Sequence, residues 1–208
     1  MRKSFIFGTR TINPELSKKE ELKDIIKAWA AISLAFGIVL YGGPKFELGF
    51  LFSFIIAGVT VGIGFLFHEL AHRTVARYYG CRAFFKADPF MLILAIGMSL
   101  FGFVFAAPGA VYILGYAGKS RNGKISIAGP LTNIVLSALF LVTLVFATHP
   151  SIALIGKYGH MINAWLAAFN LIPFGPFDGK KVFAWNKWIW GATLAAAVVL
   201  LFAPGILL

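Results

Sequence analysis

The chain has 208 residues, 59% of them hydrophobic and only 13% charged, with a mean hydropathy of +0.83. A water-soluble domain carries about 45–50% apolar and about 25% charged residues, so this composition excludes one and indicates an integral membrane protein. The net charge of +11 does not point to nucleic acid, because the 19 Lys and Arg lie in short polar stretches between apolar runs. That is the pattern of the positive-inside rule and of anionic lipid.

Residues 1–27 are the one long polar segment. Ser17 with Glu20 three residues on is a capping-box signal, and Lys18, Lys19, Lys23 and Lys27 share the stretch with Leu22, Ile25 and Ile26. This predicts a cytoplasmic amphipathic segment at the membrane surface, leading directly into the first span. Residues 28–208 are then a single membrane-embedded domain. Its apolar runs cover about 28–43, 48–72, 90–107, 126–147, 152–172 and 188–208, to be compared with about 17–25 residues for a span. The single Cys81 leaves no internal disulfide.

The 90–107 run is borderline in length, has Pro89 and Pro108 at its ends, and contains Gly97 and Gly102. Charge discriminates between its two topologies. If the run dips in and returns on the same side, the cytoplasmic segments hold seventeen of the nineteen basic residues, leaving Lys45 and Lys157 outside. If it crosses, the basic loops at 108–124 and 173–187 become external and the bias is weak. The expected fold is an all-α polytopic membrane protein of five to six transmembrane helices. A re-entrant element, β-like or broken, lies between the second helix and Gly129-Pro130, sheltered by protein or a water-filled cavity.

The second span carries His68-Glu69-Leu70-Ala71-His72. Residues four apart share one helix face, so both imidazoles reach one metal ion, and Glu69 beside them is placed to take a proton from its water. Ionisable groups inside an apolar span are costly and mark functional sites. The third ligand comes from elsewhere in the chain. The fifth run ends in Asn170-Leu171-Ile172-Pro173-Phe174-Gly175-Pro176-Phe177-Asp178-Gly179, where the prolines stop the helix and present Asp178 at a membrane edge. With 90–107 re-entrant, Asp178 arrives on the same side as His68 and His72, and it is the predicted third ligand.

These motifs, with Ala128-Gly129-Pro130-Leu131-Thr132-Asn133 between them, resemble the site-2 protease family of intramembrane zinc metalloproteases. The resemblance covers about residues 48–182; Gly175 and Phe177 stand where the family commonly has Pro and Leu. It implies hydrolysis of peptide bonds in or near transmembrane segments of substrate proteins, with one zinc ion on His68, His72 and Asp178 and with Glu69 activating the water. By the same resemblance Asn170 and Asn133 position the substrate strand or stabilise the oxyanion. Pro108-Gly109-Ala110-Val111 sits where the family has a membrane-embedded β element. An edge strand over 108–114 is expected to hold an unwound substrate by strand addition. The alternative is a metal-binding membrane protein without proteolytic activity, either a zinc transporter or a silent homologue that binds transmembrane helices.

Expected partners are transmembrane substrates and the bilayer, with no nucleic acid. The expected location is the cell membrane, multi-pass, with the N-terminus and the opening of the active site on the cytoplasmic side. His149 and His160 read as surface or interfacial residues flanking an outer loop and not as ligands, Asp88 as a helix cap, and Trp185, Trp188 and Trp190 as an interfacial belt.

Overall fold

The computed structural model describes residues 18–42, 49–104, 108–115 and 117–207. Helix α1 (Lys18–Tyr41) runs through the polar segment and the first apolar run as one rod of 24 residues. Nothing between Lys27 and Ala31 breaks a helix, so the amphipathic stretch continues into the span without a bend. Ser17, half of the expected capping box, lies outside the described residues.

The second apolar run forms α2 (Phe50–Ala57), a π-helical turn at Gly58–Gly62, and α3 (Ile63–Tyr78), continuous over 29 residues. Trp29 of α1 packs against the π turn and donates its indole N–H to Gly58 O at 3.1 Å. A Cβ on Gly62 would lie 2.7 Å from the Trp29 ring, so only glycine admits this approach. The turn leaves backbone carbonyls imperfectly paired, and the indole satisfies one of them.

Strand β1 (Arg82–Ala87), helix α4 (Pro89–Ser99) and strand β2 (Gly109–Leu114) follow. The strands pair antiparallel, with Arg82 opposite Leu114 and Ala87 opposite Gly109. The chain is therefore not all-α: it is mostly helical with a small two-stranded sheet, lying in the stretch between the second helix and Gly129-Pro130 where a β-like or broken element is expected. Strand β1 falls between the apolar runs at 48–72 and 90–107. Ala83, Phe84 and Phe85 are buried in succession, so the alternation that marks a half-exposed strand is missing. Asp88 caps α4 as expected, accepting from the backbone N–H groups of Phe90 and Met91. At 11 residues α4 spans about 16 Å, well short of the ~30 Å hydrocarbon core.

The remaining helices are α5 (Lys119–Val145), α6 (Pro150–Asn170), α7 (Asp178–Trp185), α8 (Lys187–Phe202) and the short α9 (Pro204–Leu207). Helices α5 and α6 approach closely through Gly156, where a Cβ would lie 2.6 Å from the Leu144 backbone; small residues permit such contact between apolar helices. Ile32, Ile56, Val61, Phe65, Phe85 and Ile162 form the main core, with Phe65 and Phe85 edge to face at 6.0 Å. Among the described residues, three helical stretches are long and apolar enough to cross a membrane: α1, the α2–α3 rod and α5. Leu51, Leu139, Val142 and Val199 stand outward, as lipid-facing side chains do.

His160 departs from the surface position expected of it. Helix α6 begins at Pro150, which places His160 three turns inside, 2% exposed, with Nδ1 2.9 Å from Ser137 Oγ. His149 caps that helix, accepting the Ser151 N–H.

Candidate metal centre

His68 and His72 stand one turn apart on the buried face of α3, and Asp178 opens α7 directly opposite them. The route to Asp178 is tight. Helix α6 ends at Asn170, Gly175 takes a φ of 65° that few other residues adopt, and a Cβ on Gly179 would collide with the backbone carbonyl of Leu171. The indole N–H of Trp190 donates to that same carbonyl at 2.7 Å. The break after Asn170 thus folds back on itself and aims Asp178 at the histidines.

Three donor atoms converge. His72 Nε2 lies 3.0 Å from His68 Nε2 and 2.9 Å from Asp178 Oδ2, and His68 Nε2 lies 3.4 Å from the same oxygen. Tetrahedral zinc with ligand bonds of about 2.0–2.1 Å separates its donors by about 3.3 Å, so this triangle has the right edge. Among the described residues these three form the group able to hold a metal ion.

The far side of each imidazole fixes its tautomer. His72 Nδ1 lies 2.8 Å from Ile125 O, an acceptor only, so Nδ1 carries the proton and Nε2 presents its lone pair. His68 Nδ1 lies 2.6 Å from Asn133 Oδ1. The amide orientation of Asn133 follows from its neighbours, because Nδ2 donates to Gly64 O at 3.1 Å and to Asn163 Oδ1 at 2.9 Å. Asn163 is set in turn by donating to Gly159 O at 2.8 Å. His68 Nε2 is therefore also a lone pair. Two lone pairs and a carboxylate oxygen at about 3 Å would repel one another without a cation between them, which is the chemistry of a metal site.

Asp178 lies outside the apolar helices. Burial by itself would raise its pKa, but where a proton takes the place of the metal a cationic imidazole at His72 or His68 donates to it and holds the carboxyl well below the usual carboxylate range. Lys181 adds a cation 3.8 Å from the other oxygen, Oδ1. Gly129 of α5 lies against the pair of imidazoles: a Cβ there would be 2.5 Å from His72 Nε2 and 2.6 Å from His68 Nε2.

Glu69 accepts the backbone N–H of Val111 in β2 at 3.1 Å through Oε2. The strand expected at 108–114 is thus present as β2 over 109–114 and touches the carboxylate beside the donor triangle. Pro108 and Gly109 turn to the sheet instead. Pro108 O accepts from Asp88 N at 3.1 Å, and a Cβ on Gly109 would press on Phe85 and Lys86. Asn170 donates to Leu166 O in its own helix at 2.9 Å. Asn133 is fully buried, with both ends of its amide engaged by protein groups. The structure thus directs it to His68, not to an open face where a substrate would lie. Sequence reasoning does not single out Asn163, the Ile125 carbonyl or Glu21. Asn163 alone left a signal, a polar residue in an apolar run.

Relatives of one kind emerge from comparison with curated proteins. "Putative zinc metalloprotease MJ0611" of Methanocaldococcus jannaschii is 45% identical over 164 residues, which are 77% of this chain and 83% of that protein. "Putative zinc metalloprotease Rip3" of Mycobacterium tuberculosis is 32% identical over 127 residues, covering 59% of this chain but 28% of that protein. "Putative zinc metalloprotease YwhC" of Bacillus subtilis is 27% identical over 146 residues, 60% of this chain and 65% of that protein. No family model matches the chain, and no solved structure does.

Proposed function

The chain belongs to the site-2 protease family of zinc metalloproteases, and on that premise we propose that it is an intramembrane endopeptidase. The observation that carries the reading is the convergence of His68 Nε2, His72 Nε2 and Asp178 Oδ2 beside Glu69. His68, His72 and Asp178 would hold the zinc, which would supply Lewis acidity and lower the pKa of the attacking water. Glu69 takes the proton of the attacking water and passes it to the leaving amide nitrogen as the peptide C–N bond breaks. With the Val111 N–H on Oε2, Oε1 is the oxygen that receives that proton.

Substrates are transmembrane segments of other proteins. A helical substrate hides its carbonyls, so it unwinds before attack and adds as a strand to β2, whose outer edge faces no strand among the described residues. The other edge of the sheet is closed. Ala83 O accepts from Arg77, Phe85 N–H donates to Glu21, and Ala87 N–H donates to Asp24. Five helices, α6 and α8 joining the three long ones, embed the site. The β1–α4–β2 segment re-enters from the cytoplasmic side, where the basic residues gather.

The test is cleavage of a single-span protein by the zinc-loaded purified chain beside Glu69→Gln. Cleavage abolished by the substitution and by a zinc chelator supports the reading. Cleavage that persists in the variant overturns the role of Glu69. Transport of zinc across vesicles without hydrolysis would favour the other class; among the described residues the donors gather at one centre.

A further inference from the structure

Helix α1 carries an acid that belongs with the site. Glu21 is 6% exposed in a segment otherwise rich in lysine. Its Oε1 accepts the Phe85 N–H at 2.9 Å and lies 3.1 Å from Arg73 Nε, and its Oε2 lies 3.5 Å from Arg77 Nη2. Both arginines extend the helix that bears His68, Glu69 and His72. Arg77 also grips β1, donating to Ala83 O at 2.8 Å from Nε and at 2.6 Å from Nη2. A carboxylate buried this far persists only where cations and donors compensate it, and here all three partners belong to the active-site elements.

The sheet register extends this contact to the reacting carboxylate. Phe85 of β1 stands opposite Val111 of β2. The N–H of Phe85 points away from the partner strand to Glu21, and that of Val111 points away to Glu69. Opposed residues whose N–H groups both turn outward are a non-hydrogen-bonded antiparallel pair. One rung of the sheet therefore carries a carboxylate at each end, Glu21 on the outside and Glu69 at the site.

We propose that Glu21 is a positioning residue for hydrolysis: it fixes β1 against α3, and through the Phe85–Val111 rung it fixes the amide that holds Glu69. The proposal rests on the protease reading for its effect on turnover, but the geometry it asserts is independent of that reading. Losing the contact lets the sheet drift from α3, and a misplacement of about 1 Å near reacting groups lowers rates by about 100-fold. Bound zinc is unaffected, because Glu21 touches none of the donors.

The experiment compares the full-length chain with Glu21→Ala and Glu21→Gln, reading zinc content, kcat per bound zinc, KM, and hydrogen exchange of the segment 108–115. Glu21→Ala is expected to keep its zinc, lose about 10- to 100-fold in kcat with KM changed less than about twofold, and exchange faster at 108–115. Glu21→Gln keeps an acceptor for the Phe85 N–H, so it is expected to recover protection at 108–115 and part of kcat. It also serves if the alanine variant does not fold. A helix anchor with no role at the site would lower the melting temperature while leaving kcat per bound zinc and the exchange of 108–115 as in wild type; that result overturns the proposal. If the wild-type chain cleaves nothing, the protease reading fails, and exchange at 108–115 still decides for or against the Glu21 contact.

Discussion

Replacing Gly129 with alanine tests the packing of α5 against the imidazole pair. In an exposed helix, glycine to alanine stabilises by about 0.5–1 kcal/mol, because the chain loses less entropy on folding. At Gly129 the sign is expected to reverse. The added Cβ would lie 2.5 Å from His72 Nε2 and 2.6 Å from both Nε2 and Cε1 of His68, where an ordinary contact is 3.4–4 Å. Either α5 retreats by nearly 1 Å or the imidazoles rotate off the point they share with Asp178. Overpacking of this kind costs about 1–3 kcal/mol. If it falls wholly on the metal-competent arrangement, zinc affinity drops by about 5- to 150-fold. Competition against a chromophoric zinc chelator measures that drop in detergent solution. Gly97→Ala is the control, since no heavy atom lies within 4 Å of its added Cβ. Wild-type zinc affinity in Gly129→Ala, with Gly97→Ala unchanged beside it, would refute the packing argued for the centre.

Asn133→Ala removes the acceptor of His68 Nδ1 and leaves Asn163 Oδ1 and Gly64 O without their donor. Zinc affinity is expected to fall by about 10- to 100-fold, as for other groups that orient a ligand from behind; zinc titration reads it, and an unchanged affinity with lost cleavage would instead restore a direct role toward substrate. Val111→Pro deletes the N–H that holds Glu69 while sparing the β1–β2 ladder, since that N–H points out of the sheet. The expectation is retained zinc with cleavage at least about tenfold slower, measured on the same single-span substrate; undiminished turnover would remove β2 from the mechanism.

Local spacing made the chemistry of the centre legible in the sequence. His68 and His72 share a face because any helix places residues four apart together. Pro173, Gly175 and Pro176 had to end a helix and turn the chain, which put Asp178 at a break. Composition and charge identified a membrane protein, and the 90–107 run stood out by its prolines and glycines. Each of these features is set by neighbours within a few residues.

Contacts between distant segments were decided by the tertiary structure alone. Asn133 meets His68 across 65 residues, Glu21 meets Phe85 across 64, and Val111 meets Glu69 across 42. No periodicity encodes such a pairing, because each side chain is merely polar until the fold delivers its partner. Strand β1 is the same case: burial on both faces erases its alternation, and only its pairing with β2 makes it a strand. His160 was misplaced for a related reason. A polar residue near a turn reads as exposed until the helix start at Pro150 and Ser137 on the facing helix enclose it. Local spacing marks which atoms have metal chemistry; packing between helices far apart in the chain sets which tautomers, angles and carboxylates put that chemistry at one point.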